Sequence, residues 1–291
     1  LKPYFIVNPR SGRAARALDT VRAFAAQHSA RVVLTDRPRH ATELAQRALA
    51  DGVELIVAVG GDGTLNEIAS IVTSTPVTLG LIPCGSGDGL GRHLGIHGSI
   101  SRALEIILTG QPRLIDTGLA AGHPFFTAAG LGFEADISGR FNRLRHRGFF
   151  RYLTTSARAF REYQAQPYSI HCAGARVPFP AFTLVVANSD QYGNNARIAP
   201  GARVDDGLLD LTAVPPITWR NALPLVAHLF AGSLARIPSV LRLQAARFVV
   251  ERAAPGPIHT DGEVHQAPAQ VEFVTLPASL RILAPSTVKS R

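Results

Sequence analysis

The stretch Val57-Ala58-Val59-Gly60-Gly61-Asp62-Gly63-Thr64-Leu65-Asn66-Glu67 decides how this chain is read. An apolar run from Leu55 to Val59 stops at two glycines, presents one carboxylate and turns on a third glycine. A helical pattern with Ile68, Ile71 and Val72 on one side then begins. Glycines let a backbone approach a ligand closely and adopt positive φ. Amide N–H groups exposed in such a turn, next to a helix N-terminus, form a site for phosphate oxygens. Asp62 suits that setting if Mg²⁺ lies between it and the phosphate, or if it acts as a base on an incoming hydroxyl. Any strand-to-helix turn can carry a pair of glycines. An eight-residue Gly60–Glu67 stretch with an acid at its apex is more than such a turn needs.

Working outward, residues 1–118 alternate short apolar runs with helical patterns. Strands are expected at Tyr4–Val7, Val32–Leu34, Leu55–Val59 and Thr78–Ile82, with helices near 13–28, 40–51, 64–73 and 99–109. That alternation predicts a doubly wound, parallel α/β sheet, whose ligands bind at the carboxyl ends of the strands. Each of the four strands is followed by a loop suited to that edge: Asn8-Pro9-Arg10-Ser11-Gly12, Thr35-Asp36, Gly60–Thr64, and Pro83-Cys84-Gly85-Ser86-Gly87-Asp88-Gly89. Their convergence on one edge weighs more than any single loop. Neither G-x-G-x-x-G nor a Gly-Lys-Ser/Thr P-loop can be laid on the sequence.

After about residue 115 the pattern becomes that of β-strands separated by turns, at 113–119, 124–130, 168–172, 181–187, 208–214, 247–251 and 271–275. Helical interruptions are expected at 139–163 and 217–235. The division reads as an α/β nucleotide-binding domain, 1–118, and a C-terminal antiparallel β-sandwich domain, 119–291. A last strand near 280–284 is able to return to the first domain, and the cleft between the two is the default ligand site. Val204-Asp205-Asp206-Gly207-Leu208 and Thr260-Asp261-Gly262-Glu263 both read as Asp-Gly turns with an extra acid. One can hold a hard cation, and the other can supply a glutamate base if a cleft raises its pKa.

Composition narrows the partners. The 291 residues are 46% hydrophobic and 18% charged, ample for a sizeable core. No apolar stretch is long enough to span a bilayer, and the N-terminus reads as a first strand. Two cysteines, Cys84 and Cys172, fit a reducing cytosol. A formal charge of +9 attracts nucleic acid, anionic lipid or polyphosphate, yet no common nucleic-acid signature is present. Arginines interleave with aromatics from Arg140 to Tyr163, as in helices that lie on anionic membranes.

Taken together, these motifs resemble the diacylglycerol kinase catalytic-domain and sphingosine kinase family, above all its small bacterial lipid kinases, over nearly the whole chain. Gly60–Glu67 is similar to that family's GGDGT signature, and Asn8–Gly12 and Ile82–Gly87 to its other nucleotide loops. Asp206–Asp210 and Asp261-Gly262-Glu263 resemble the acidic motifs of its β-sandwich domain. The resemblance implies ATP contacts from Asn8, Pro9, Arg10, Ser11, Gly12, Thr35, Gly60, Gly61, Asp62, Gly63, Thr64, Leu65, Asn66 and Ser86. It implies Mg²⁺ on Asp206 with the carbonyls of Arg203 and Leu208. Either Glu263 or Asp62 would be the base, Glu263 being favoured for proton abstraction and Asp62 for orienting Mg²⁺ or the acceptor hydroxyl. A membrane lipid would be the acceptor, and the enzyme would be cytoplasmic and peripheral at the inner membrane face. An edge strand offers a way to pair two β domains into a homodimer. Asp88 stands where the family usually has Asn. A like charge about 4 Å from a phosphate costs on the order of 4 kcal/mol at an effective dielectric of about 20. NAD kinases share GGDG, so a ribose hydroxyl acceptor stays open, as does a non-catalytic lipid- or nucleotide-binding regulator.

Overall fold

The computed structural model describes residues 2–136, 163–193 and 195–285. The helix expected over 139–163, with its arginines, lies outside the described residues save for Tyr163. The chain forms two compact units. One runs to Asp116 and adds Gln191–Asn195 and the chain from Pro277 onward; the other holds Thr117–Asp190 and Ala196–Leu276.

In the first unit, strands β1 (Pro3–Val7), β2 (Arg31–Leu34), β3 (Leu55–Gly60) and β4 (Thr78–Pro83) alternate with helices α1 (Ala14–Gln27), α2 (His40–Ala50) and α3 (Asp62–Val72). A short helix α4 (Gly89–His93) and a longer α5 (Ile100–Thr109) follow. Every residue of β1 and β3 is buried, the continuous apolar pattern of strands covered on both faces. The sheet runs β2-β1-β3-β4 and is parallel throughout, as the strand–helix alternation predicts. α5 is capped by Ser99, whose hydroxyl accepts the Arg102 amide at 3.1 Å. Asp62 belongs to the first turn of α3, two residues earlier than the sequence pattern suggests. Gly61 at the N-cap stays extended, so the chain passes from β3 into the helix without a separate loop. The glycine-rich run after β4 contains α4, which is too short for hydrophobic periodicity to reveal.

The second unit is a pair of antiparallel sheets, as expected of a β-sandwich. Five strands come first: β5 (Gln111–Ala120), β6 (His123–Phe125), β7 (Ala128–Gly132), β8 (Gln166–Cys172) and β9 (Ala175–Ala181). After them run β10 (Thr183–Ala187), β11 (Leu209–Val214), helix α6 (Ala222–Ala231) and β12 (Leu241–Ala245). The last four strands are β13 (Arg247–Glu251), β14 (Gly256–Thr260), β15 (Glu263–Ala267) and β16 (Gln270–Ala284). One sheet has the order β12-β11-β10-β7-β14-β15, and the other contains β16-β13-β8-β9. Alternate residues fill the space between them: Leu184 and Val186, Leu209 and Leu211, Phe248 and Val250, Val271 and Phe273. Strand β16 is long. Its residues 270–274 pair with β13, and 281–282 pair in parallel with β4 of the first unit.

Four strands escape the sequence pattern. β9 carries Pro178 and Pro180 and, among the described residues, pairs with β8 alone at a sheet edge, where a missing N–H costs little. β14 and β15 include polar residues that break the alternation, whereas β12 alternates but over only five residues, Leu241–Ala245. The helix expected over 217–235 is confined to Ala222–Ala231, ending at Gly232 in the left-handed region.

Candidate functional site

Three loops meet at the carboxyl ends of β1, β3 and β4. Asn8 ties the first two together: its amide donates to the Val59 carbonyl at 2.9 Å, and its Nδ2 to the Thr64 hydroxyl at 3.1 Å. Its Oδ1 accepts the Arg10 amide, so the side chain also folds its own loop. Gly12 has φ +49°, and a Cβ there would collide with the Cys84 carbonyl oxygen, which already accepts the Arg13 amide. Glycine is required on both counts. A Cβ on Gly61 would lie 3.2 Å from the Gly85 Cα, and one on Gly85 2.8 Å from the Gly61 Cα. The second and third loops therefore touch backbone to backbone, while Gly63 faces open space.

Asp62 closes this arrangement. Its Oδ2 accepts the Asp88 amide at 3.0 Å and its Oδ1 the Gly89 amide at 3.1 Å, at the start of α4. The carboxylate that the sequence places at the apex of a turn is thus engaged on the neighbouring loop, with a second lone pair left on each oxygen. A Cβ on Gly87 would meet the same carboxylate. Asp88 is the second hub: it is 4% exposed, sits at φ +47°, and accepts the Gly85 amide at 3.1 Å. Its Oδ2 lies 3.6 Å from His97 Nδ1. Burial, and then the Asp62 charge, push its carboxyl up to about 6. The acid that follows Gly87 in the sequence is therefore buried, and it braces its own loop through the Gly85 amide. Burial and the Asp88 charge also push the Cys84 thiol up to about 11, so Cys84 is inert packing.

The remaining expected contacts differ in what they present. Arg10, Gly63 and Ser86 are exposed, and Pro9, Ser11 and Asn66 are half-buried. Thr35 follows β2 and is buried, its amide bonded to the Val7 carbonyl at 2.9 Å. Leu65 is buried, so only its backbone is free to face a ligand.

In the second unit the acidic motifs form two separate turns. Asp206 Oδ1 accepts the Leu208 amide at 3.0 Å across Gly207 at φ +73°, and its Oδ2 stands 3.4 Å from Gln244 Nε2. Arg203 donates to Asp205 at 3.2 Å. Burial raises the carboxyl of nearby Asp210, which Arg242 opposes from 3.6 Å. Among the described residues no group of three or more His, Cys, Asp and Glu side chains is placed to hold a metal ion. A cation at this turn would rest on Asp206 Oδ2 and the carbonyls of Arg203 and Leu208, an all-oxygen set that suits Mg²⁺. Asp261 and Gly262 have φ +47° and +85°, joining β14 to β15. The Asp261 carboxylate accepts the amides of Phe126, Thr127 and Ala128 at 2.7–2.9 Å, an anchor that contacts 133–135 residues away hide from local reading. Glu263 opens β15 and is exposed. His265, beside it, takes a 2.8 Å contact with the Thr260 hydroxyl and stacks on His123 at 3.8 Å.

Comparison with known proteins agrees with both halves. Residues 2–120 match the family model described as diacylglycerol kinase catalytic domain, and residues 127–284 match the YegS C-terminal NAD kinase beta sandwich-like domain. A Pseudomonas putida protein named as a YegS-like lipid kinase is 30% identical over 255 residues, covering 84% of this chain and 82% of that one. An uncharacterized protein of Synechocystis sp. is 30% identical over 268 residues, 88% of this chain, and this chain spans 62% of its length. A crystal structure of a diacylglycerol kinase from Bacillus anthracis str. Sterne superposes with a TM-score of 0.75 at 20% identity, over 98% of this chain and 97% of that one. The chain belongs to the diacylglycerol kinase and YegS-like lipid kinase family.

Proposed function

We propose that this protein transfers the γ-phosphoryl group of ATP to the primary hydroxyl of a diacylglycerol- or sphingosine-like lipid. The observation that carries the reading is the backbone contact of Gly61 with Gly85, locked by Asp62 on the Asp88 and Gly89 amides. Neither glycine carries a side chain at this contact, so polyphosphate oxygens could approach main-chain N–H groups there. Phosphoryl transfer demands positioning and charge neutralisation more than covalent help. Gly60, Gly61, Gly63 and Ser86 would offer those donors, and Arg10 a cation. Mg²⁺, when bound, supplies the positive charge that the glycine loops lack. In the transfer, the bond from the γ-phosphorus to its bridging oxygen breaks, the lipid oxygen bonds to phosphorus, and the hydroxyl proton goes to a carboxylate. Glu263 is favoured as the acceptor because both Asp62 oxygens already accept loop amides. Asp62 then acts by holding the loops and orienting the hydroxyl.

The test is transfer of label from Mg·ATP to diacylglycerol, monoacylglycerol, sphingosine, ceramide and phosphatidylglycerol in mixed micelles. NAD serves as a soluble acceptor, and Glu263→Gln as the chemical blank. A labelled lipid that is lost in the variant supports the reading and names the acceptor. Label on NAD alone, or no label with ATP bound, overturns it.

A further inference from the structure

The second unit carries an apolar ridge that its own core does not use. Trp219 is 84% exposed, Leu223 77%, Val226 51% and Phe230 52%. Their spacing of four, three and four places Leu223, Val226 and Phe230 on one face of α6, with Trp219 one turn before it. Leu225 is the residue of α6 that is buried, and the Leu229 carbonyl accepts the Arg197 amide at 3.0 Å on the side held to the protein. Past the helix, Ile237 and Pro238 line an open groove with Phe179 and Leu241.

Charge selects the occupant. Residues 211–250 contain four arginines and no aspartate or glutamate. Arg242 and Arg247 are committed to Asp210 and Glu272. Arg220 and Arg236 flank the ridge, the first with its guanidinium 5.0 Å from the Trp219 ring. An indole beside an arginine at the rim of an apolar helix face matches the boundary between acyl chains and anionic headgroups. A second copy of this chain would bring like charges to the same rim, on a protein of net charge +9. We propose that the face formed by Trp219, Leu223, Val226 and Phe230 is the surface by which this protein docks on an anionic bilayer. The inference deepens the lipid-kinase reading by naming where the enzyme meets its substrate's membrane, and docking can be measured without phosphoryl transfer.

Trp219 is the single tryptophan of the sequence, so its fluorescence reports on this ridge alone. The intact chain is titrated with phosphatidylglycerol-containing vesicles and with pure phosphatidylcholine vesicles, with and without brominated acyl chains. A blue shift with bromine quenching, stronger on the anionic vesicles, is expected. The double variant Leu223→Ser/Phe230→Ser keeps the tryptophan and alters two exposed positions. It is expected to partition about a hundredfold less into the same vesicles, with an unchanged circular dichroism spectrum and unchanged turnover of a water-soluble short-chain diacylglycerol. Vesicle-bound protein with unshifted Trp219 emission would overturn the proposal, as would equal binding by the double variant. An emission shift without lipid, accompanied by dimers in sedimentation, would overturn it in favour of a second copy. Docking by the unaltered chain without phosphoryl transfer to any lipid would count against the kinase reading and leave this one standing.

Discussion

Replacing Asp88 with asparagine should make the protein more stable at neutral pH, and the gain should vanish in acid. An aspartate in an unfolded chain releases its proton near the model value of 3.8, whereas in this fold Asp88 holds it up to about 6. Below about pH 4 both states are protonated and the site adds nothing. Between about pH 4 and 6 the unfolded chain has lost the proton that the folded chain still binds, so stability falls as pH rises. Above that window the penalty is constant: a gap of about two units at ~1.4 kcal/mol each, or about 3 kcal/mol. The asparagine side chain of the Asp88→Asn variant would keep an oxygen for the Gly85 amide and tolerates the left-handed backbone at φ +47°. Urea unfolding followed by circular dichroism at half-unit steps from pH 4 to 7.5, with EDTA present, measures the difference between the two proteins. The curves should separate across this window and run parallel above it. Curves that stay parallel throughout would refute the assignment of a buried, proton-retaining carboxyl. The same variant should tighten ATP binding more at pH 8 than at pH 5.5, by isothermal calorimetry, because the charge it removes is nearly full in the first and mostly neutralised in the second.

Gly12→Ala should cost about 2 kcal/mol or more, since strain at φ +49° adds to a collision with the Cys84 carbonyl; Gly52→Ala, at φ +73° in open space, should cost about 1 kcal/mol. The difference in urea midpoint isolates the collision. Asp261→Ala strands three amides of residues 126–128 and should destabilise by about 3 kcal/mol, read as a lowered thermal midpoint. Glu263→Gln should lower phosphoryl transfer by about 10²–10⁴-fold with the melting temperature unchanged, because the residue is exposed. Asp62→Asn should lower both, since an amide NH₂ would face a backbone N–H at Asp88 or Gly89.

The parallel half of the fold was open to reading because its strands are short apolar runs between amphipathic helices, and each ends in a glycine-bearing loop. Proximity of those loops follows from topology, so the convergence of Asn8, Gly61 and Gly85 could be anticipated from chain order. The carboxylate bonds could not. Asp62 and Asp88 are 26 residues apart, and whether Asp62 faces a ligand or the next loop depends on a five-residue helix with no hydrophobic signature. The sandwich was legible where alternation was clean, as in β11 and β13, and hidden where Pro178, Pro180 or the histidines of β14 and β15 interrupt it. Trp219 and Phe230 were visible as letters, but their exposure is a tertiary fact: the same apolar spacing in α5 is buried.

The pairing of residues 281–282 with β4 has a consequence for how the protein is made. β4 meets that partner about two hundred residues later in the chain, so during synthesis its edge stays open until those residues have left the ribosome. Such an edge is a template for pairing between chains, and long-range closure of this kind slows folding. The α/β half is therefore not a module that can be cut away at its apparent boundary. A fragment ending near residue 118 would retain the glycine loops yet present β4 unpaired, whereas supplying residues 277–285 as a separate peptide should restore the missing strand and suppress its aggregation.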